Sequence, residues 1–522
     1  MPARVVLLGL PGMEPELLDR HMADGTAPTF AALARRGRML ELDNRLDHLP
    51  DVVWPEIFTA RNGSDLGWYR LPTQLFSGET RPRPAGLDDF DLTAFWDHAS
   101  RAGRRVAVVD VPYSGSSPDV NGLYVRGWGT HDKPFGTASE PDPSVIDELF
   151  AKHGPHPVGH VHAEHTRCDD HDRSFAELRR LLDLLLAGVD VKAGLFEDVL
   201  GRDDWDLFAG SFEEAHCGGH QFWHLHDADS PWHDPATPDD LVESMRSVQA
   251  RLDAALARVL EAVGPDASVF VVLSHGMQTS GGGWQLLPDF LVRVGYGSGS
   301  TTAGRMRSRL PGPVKTAARS FLRGRARQSL QRAAGSLPDP LASSDTRAVA
   351  LMNSPCGAIR LNLKGRDPFG AIEPGPEYED ACAELTQELH ELVDTRTGQP
   401  AVRLVTVAKK QDGDAVHPNI PDLLVHFNTD AGPIESVHSP RAGAISVPVR
   451  TASLPRSGDH TTHSRLIAAG PGVTEAAPSR AGNVVDIAPT LLQLLDVPLP
   501  ESLDGRPLGL GAQPAPLGEP AA

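Results

Sequence analysis

The stretch WDLFAGSFEEAHCGGHQFWHLHD, residues 205–227, opens on a run of apolar and small residues. It then delivers four histidines, His216, His220, His224 and His226, with Cys217 among them. The opening run shows no polar alternation. A strand built from it buries both faces, as strands do in a parallel sheet covered by helices on each side. In such sheets ligands bind at the carboxyl ends of the strands, and that is where these histidines fall. The same rhythm recurs along the chain. RVVLLGL (4–10) precedes PELLDRHMADG, and RRVAVVDV (104–111) follows TAFWDHASRAG. ASVFVVLS (267–274) follows the helical pattern SMRSVQARLDAALARVLEAV, and a long helical pattern over 174–200 leads into the opening stretch. The expected fold is α/β, a doubly wound, mostly parallel sheet flanked by helices.

A net charge of -20 over 522 residues, with 40% hydrophobic and 23% charged residues, fits a soluble globular protein. It argues against nucleic-acid or anionic-membrane partners. No apolar run approaches the roughly 20 residues that span a bilayer. The start, MPARVVLLGLPG, lacks the h-region and cleavage site of a secretory signal. Cys168, Cys217, Cys356 and Cys382 are too scattered for a disulfide framework, so the expected location is cytoplasmic. Residues 1–295 read as the first part of the core and 346–507 as its second part. Between them, 296–345 is an insertion whose stretch 304–332 holds many arginines and no acid. It reads as a solvated helix, or as a lid or docking segment for an anionic partner. Residues 508–522 read as a disordered tail.

The segments that follow the strands carry the candidate chemistry: PGM (11–13), EEAHCGGH (213–220), HGM (275–277) and the late SGDHTTHSRLIAAGPGV (457–473). With VVWPEIFTARNGSDLG, DVPYSGSSPDVNGLYVRG and VVDIAPTLLQLLDVPLPESLDGRPL, their order resembles the alkaline phosphatase superfamily, specifically type I phosphodiesterase/nucleotide pyrophosphatase proteins. The resemblance implies two metal ions, about six protein ligands, and a Thr or Ser nucleophile between them. Carried over by position, much of one half is missing here. The first aspartate falls on Pro11, the nucleophile on Pro50 beside Asp51, and the aspartate before His275 on Ser274. Proline offers no side-chain donor or acceptor. The other half keeps three ligand-competent positions, His216, His220 and His460.

That resemblance implies one divalent ion on three imidazoles with an open position. Zinc is the first expectation, and Fe, Cu, Co and Ni suit the same ligands. A small anionic molecule is the expected substrate, attacked by metal-activated water with no phospho-enzyme. His275 or His463 would protonate the leaving group. Alternatives are a repurposed site with redox chemistry and a non-catalytic relative that binds a ligand or partner. Assembly into a homo-oligomer is left open.

Other polar residues have plainer readings. His216 and His220, four apart, share one face of a helix, although Gly218 and Gly219 weaken that helix. Glu213 and Glu214 read as surface glutamates, or as the missing carboxylate. His224 and His226 read as orienting Trp223 and nearby backbone. HGPHPVGHVHAEHTRCDDHD (153–172) holds a second histidine run without the C-x-x-C block of a zinc finger. It reads as a mobile polar loop, or as one that folds over the site and supplies a ligand.

Overall fold

The computed structural model describes residues 4–44, 52–70, 73–129, 136–158, 174–297, 341–351, 355–408, 417–448, 456–473 and 482–510. The elements that place the site are β1 (Arg4–Gly9), β2 (Leu207–Ser211), β3 (Ala267–Leu273), β4 (Met277–Thr279), β5 (Gly458–His460) and β6 (Ser464–Ala469), with helices α1 (Phe175–Leu200), α2 (Glu214–His226) and α3 (Ser244–Val263). A nine-stranded sheet runs in the order Gly482–Asn483, Arg38–Asp43, β6, β3, β1, β2, Val106–Val109, Gly122–Arg126, Ala138–Glu140. β1 lies parallel between β2 and β3, and β2 lies parallel to Val106–Val109. The sheet is mostly parallel and helix-flanked, as the apolar runs predict.

β1 shows why those runs carry no polar alternation. Val6 and Leu8 pack with α1 and α3 on one face. Val5 and Leu7 pack on the other face with the helices Val53–Thr59, Phe95–Arg101 and Ile487–Leu494. All four are at most 2% exposed. Each such burial contributes about 1.5–3 kcal/mol. α1 starts where its sequence says it should. Glu177 N–H donates to Ser174 Oγ and Ser174 N–H donates to the Glu177 carboxylate, a reciprocal cap.

β6 decides the geometry of the late loop, because it runs antiparallel to β3, with Arg465 opposite Leu273. Its amino end therefore lies at the carboxyl edge of β1–β3. The segment before it, with His460 at the end of β5 and His463 in the loop that follows, arrives at the edge already holding the post-strand histidines. β4 and β5 then pair antiparallel, setting Met277 opposite His460.

Residues 284–297 and 341–448, as far as described, build a separate apolar cluster. It contains a four-stranded sheet in the order Ala348–Leu351, Gly357–Leu361, Leu423–Phe427, Val402–Val407, with helix Pro376–His390. Buried Arg360, Asp367 and Asp422, with the partly buried Arg366, tie it together. The basic stretch 304–332, the residues Pro50 and Asp51, and most of the second histidine run (His160, His162, His165, Cys168 and His171) lie outside the described residues. No described helix is long and apolar enough to cross a membrane.

Candidate metal centre

α2 begins three residues after β2 ends and runs unbroken through Gly218 and Gly219. Tertiary packing overrides the weak propensity of the pair, because both glycines are buried against neighbours. A Cβ on Gly219 would come within 2.6 Å of Met277 Cγ, and one on Gly458 within 2.2 Å of Gly219 O. From the other side Gly12, at φ +70, approaches so closely that a Cβ would lie 2.5 Å from His216 Cα. The glycines let β1's loop, α2 and β5 close on one another.

Three imidazoles meet there. His216 Nε2 lies 2.8 Å from His460 Nε2, and His220 Nε2 lies 3.2 Å from each. His220 Nδ1 is 2.8 Å from Gly458 O. A carbonyl only accepts, so Nδ1 carries the proton and Nε2 a lone pair. That lone pair also faces Arg456 Nη1 at 3.2 Å, and Arg456 Nη2 donates to Asp459 at 2.9 Å. Asp459 accepts from His460 N–H as well, at 2.9 Å. His220 and His460 are buried, and His216 is half-buried.

Ligand nitrogens on a tetrahedral zinc, at about 2.0–2.1 Å from the ion, sit about 3.3–3.4 Å apart. The two separations from His220, 3.2 Å, lie close to that range, while His216 and His460 stand closer, at hydrogen-bond distance, and the Gly458 carbonyl behind His220 is the kind of partner that fixes a ligating ring. By donor chemistry, the three rings fit one divalent cation. The positions that the resemblance assigns to a second ion offer less. The Pro11 side chain has no ligand atom, and Ser274 Oγ faces His275 Nδ1 at 3.1 Å.

His275 belongs to the same cluster. Its ring centroid is 4.2 Å from that of His460 and 5.4 Å from that of His216. With His216 and His460 it forms a second group of three rings that could hold an ion. His463 Nδ1 lies 2.9 Å from Glu14 Oε1.

Other polar readings need correction. Glu213 and Glu214 are buried, not surface residues, and Glu214 faces His156 Nε2 at 2.8 Å with both side chains fully enclosed. Beside them Lys192 Nζ lies 2.7 Å from Asp110 Oδ2 and donates to Ser211 O. Burial opposes the Lys192 charge, but the carboxylates of Asp110, Glu214 and Glu213 hold its ammonium above the usual lysine range. His156 is therefore core, and His153 pairs with Asp198, so this end of the second histidine run is not a polar loop. His226 packs on Trp223, whereas His224 Nδ1 reaches the distant Ser457 Oγ at 2.9 Å. Glu14 and Arg456 escaped the sequence reading. Their only signals were a glutamate three residues after Pro11 and an arginine just ahead of SGDH.

The family of type I phosphodiesterase / nucleotide pyrophosphatase matches residues 5–440. The chain belongs to that family. Among curated proteins none matches this sequence. A mutant of the alkaline phosphatase PafA superposes with TM-score 0.52 at 14% identity, over 97% of this chain and 98% of that one. A phosphonoacetate hydrolase from Sinorhizobium meliloti, solved with phosphonoformate, gives 0.48 at 13%, over 95% and 96%. A murine ectonucleotide pyrophosphatase/phosphodiesterase 5, solved with AMP, gives 0.48 at 12% over the same shares. The likeness to PafA is one of fold: this family member carries an alkaline phosphatase-like core.

Proposed function

We propose that this family member is a single-metal hydrolase of phosphodiester or pyrophosphate bonds in small anionic molecules. Its ion would be held by His216, His220 and His460, with zinc as the first choice. The observation that carries the reading is the meeting of three Nε2 atoms at 2.8–3.2 Å. Neutral rings pointing lone pairs at one another repel unless a proton or cation lies between them. When bound, a divalent ion supplies Lewis-acid polarisation of the phosphoryl oxygens and of water.

The chain's own residues supply the rest. Gly458 O holds His220 in the tautomer that presents Nε2. Arg456, anchored by Asp459, sets a planar fork beside the cluster that suits anionic phosphoryl oxygens. His463 and His275 are the candidates to protonate the leaving oxygen. The missing Thr or Ser position means attack by water in one step rather than through a phospho-enzyme. One observation favours a second reading. Arg456 Nη1 competes for the His220 lone pair, which suits a non-catalytic relative whose cleft binds an anion without metal.

Metal analysis of protein purified without a polyhistidine tag tests this, together with hydrolysis of bis-p-nitrophenyl phosphate under metal add-back. We expect about one zinc per chain. Loss of a ligand should cost at least the 10- to 100-fold seen when a ligand's supporting partner is removed, so His216→Ala, His220→Ala and His460→Ala should each lose zinc and at least that much activity. Metal-free, inactive protein favours the anion-binding relative, and iron or copper favours redox chemistry. Zinc and activity retained in all three variants overturn the ligand assignment.

A further inference from the structure

We propose that Glu14 is the positioning carboxylate of a Glu14–His463 dyad, and that His463 rather than His275 gives the proton to the departing oxygen. The inference rests on the hydrolase reading above and selects between its two candidate acids.

Glu14 follows β1 by five residues and is only 6% exposed. Both its oxygens are engaged by groups at the site edge. Oε1 lies 2.9 Å from His463 Nδ1. Oε2 accepts from Met277 N–H at 2.9 Å and from Thr461 Oγ1 at 3.3 Å. Met277 pairs with His460 across β4 and β5, and Thr461 follows His460 directly. Gly276, next to His275, has no side chain because a Cβ there would fall 1.9 Å from Oε2. The carboxylate therefore sits between the two loops that carry the late histidines. The bland alternative is that Glu14 merely caps the helix Pro15–Ala23. Its contact to Glu16 N–H, at 3.4 Å, is the longest of the four. A cap needs neither burial nor the Met277 amide.

His463 differs from His275 in what its free face can do. With Nδ1 committed to Glu14, the His463 ring gives and takes protons at Nε2, and its side chain is 49% exposed. His275 is 4% exposed and its ring sits 4.2 Å from that of His460. Beside a cation such a ring serves as a further ligand or spacer, not as a proton carrier to substrate. In the step, a water oxygen bonds to phosphorus as the P–O bond to the leaving group breaks. His463 Nε2–H passes its proton to the departing oxygen, and the proton shed by the water restores the ring through solvent.

The test compares bis-p-nitrophenyl phosphate, whose leaving group departs as a stable anion, with diphenyl phosphate, whose phenol needs the proton. Positioned acids contribute about 10²–10⁴-fold where protonation matters. We expect Glu14→Gln and His463→Gln to keep full zinc content, to stay within about threefold of wild type on the nitrophenyl diester, and to lose about 100-fold on diphenyl phosphate. The double variant should be no worse than His463→Gln. Equal losses on both substrates, or zinc lost from Glu14→Gln, overturn the dyad. His216→Ala run alongside separates the two ideas. If it loses zinc while Glu14→Gln shows no substrate split, the dyad alone fails. If it keeps zinc and activity, the hydrolase reading fails and takes the dyad with it.

Discussion

At the scale of single residues, the candidate centre turns on Arg456 as much as on its histidines. Its guanidinium and a cation make opposite demands on His220 Nε2, since an N–H donor and a metal want the same lone pair. Asp459 moderates this by accepting from Arg456 while also holding the His460 amide. With the ion present, the Nη1–H is better used on a phosphoryl oxygen, where a charge-assisted bond is worth about 1.5–3 kcal/mol. Arg456→Lys keeps a charge for Asp459 but removes the planar fork. We expect it to retain zinc and kcat while KM for an anionic diester rises about tenfold, the low end of that range. Metal analysis and steady-state kinetics check this; lost zinc would mean that Arg456 supports the ligands instead of the substrate.

At the scale of elements, α2 is the part that must be held still, and what holds it is buried charge beneath its first turn. Glu214, its first residue, faces His156, while Lys192 of α1 bridges Asp110 and the Ser211 carbonyl at the end of β2. Removing one partner of such a pair strands the other in the interior, at a cost of about 3–5 kcal/mol. Lys192→Met should therefore lower unfolding free energy by that amount in denaturant titrations, far more than a surface lysine change. Little of this network was legible. The strands and long helices showed in the sequence because their periodicity follows from one-dimensional patterning, as β1 and α1 illustrate. The fourfold spacing of His216 and His220 likewise announced a shared helix face. A glutamate says nothing alone about burial, so Glu213 and Glu214 passed for surface residues. Glu14 and His463 lie 449 residues apart, and no local signal joins them.

For the whole molecule, the decisive feature is which parts of the chain the candidate centre ties together. His216 and His220 come from one helix, whereas His460 ends the short strand β5, 244 residues beyond His216. The antiparallel course of β6 is what returns that strand to the carboxyl edge. An ion bound by all three would cross-link α2 to the β5–β6 segment in the folded state only, and so would stabilise folding by mass action. At a free metal concentration a thousandfold above the dissociation constant the gain is about 4 kcal/mol. At roughly 2–4 °C per kcal/mol for domains of moderate size, chelation should lower the wild-type melting temperature by several degrees, and zinc should restore it. His460→Ala should melt near the chelated wild type and ignore both treatments, because the two proposed ligands that remain lie on α2 alone. A wild-type melting temperature indifferent to chelator, in protein shown to contain zinc beforehand, would place the ion elsewhere on the chain.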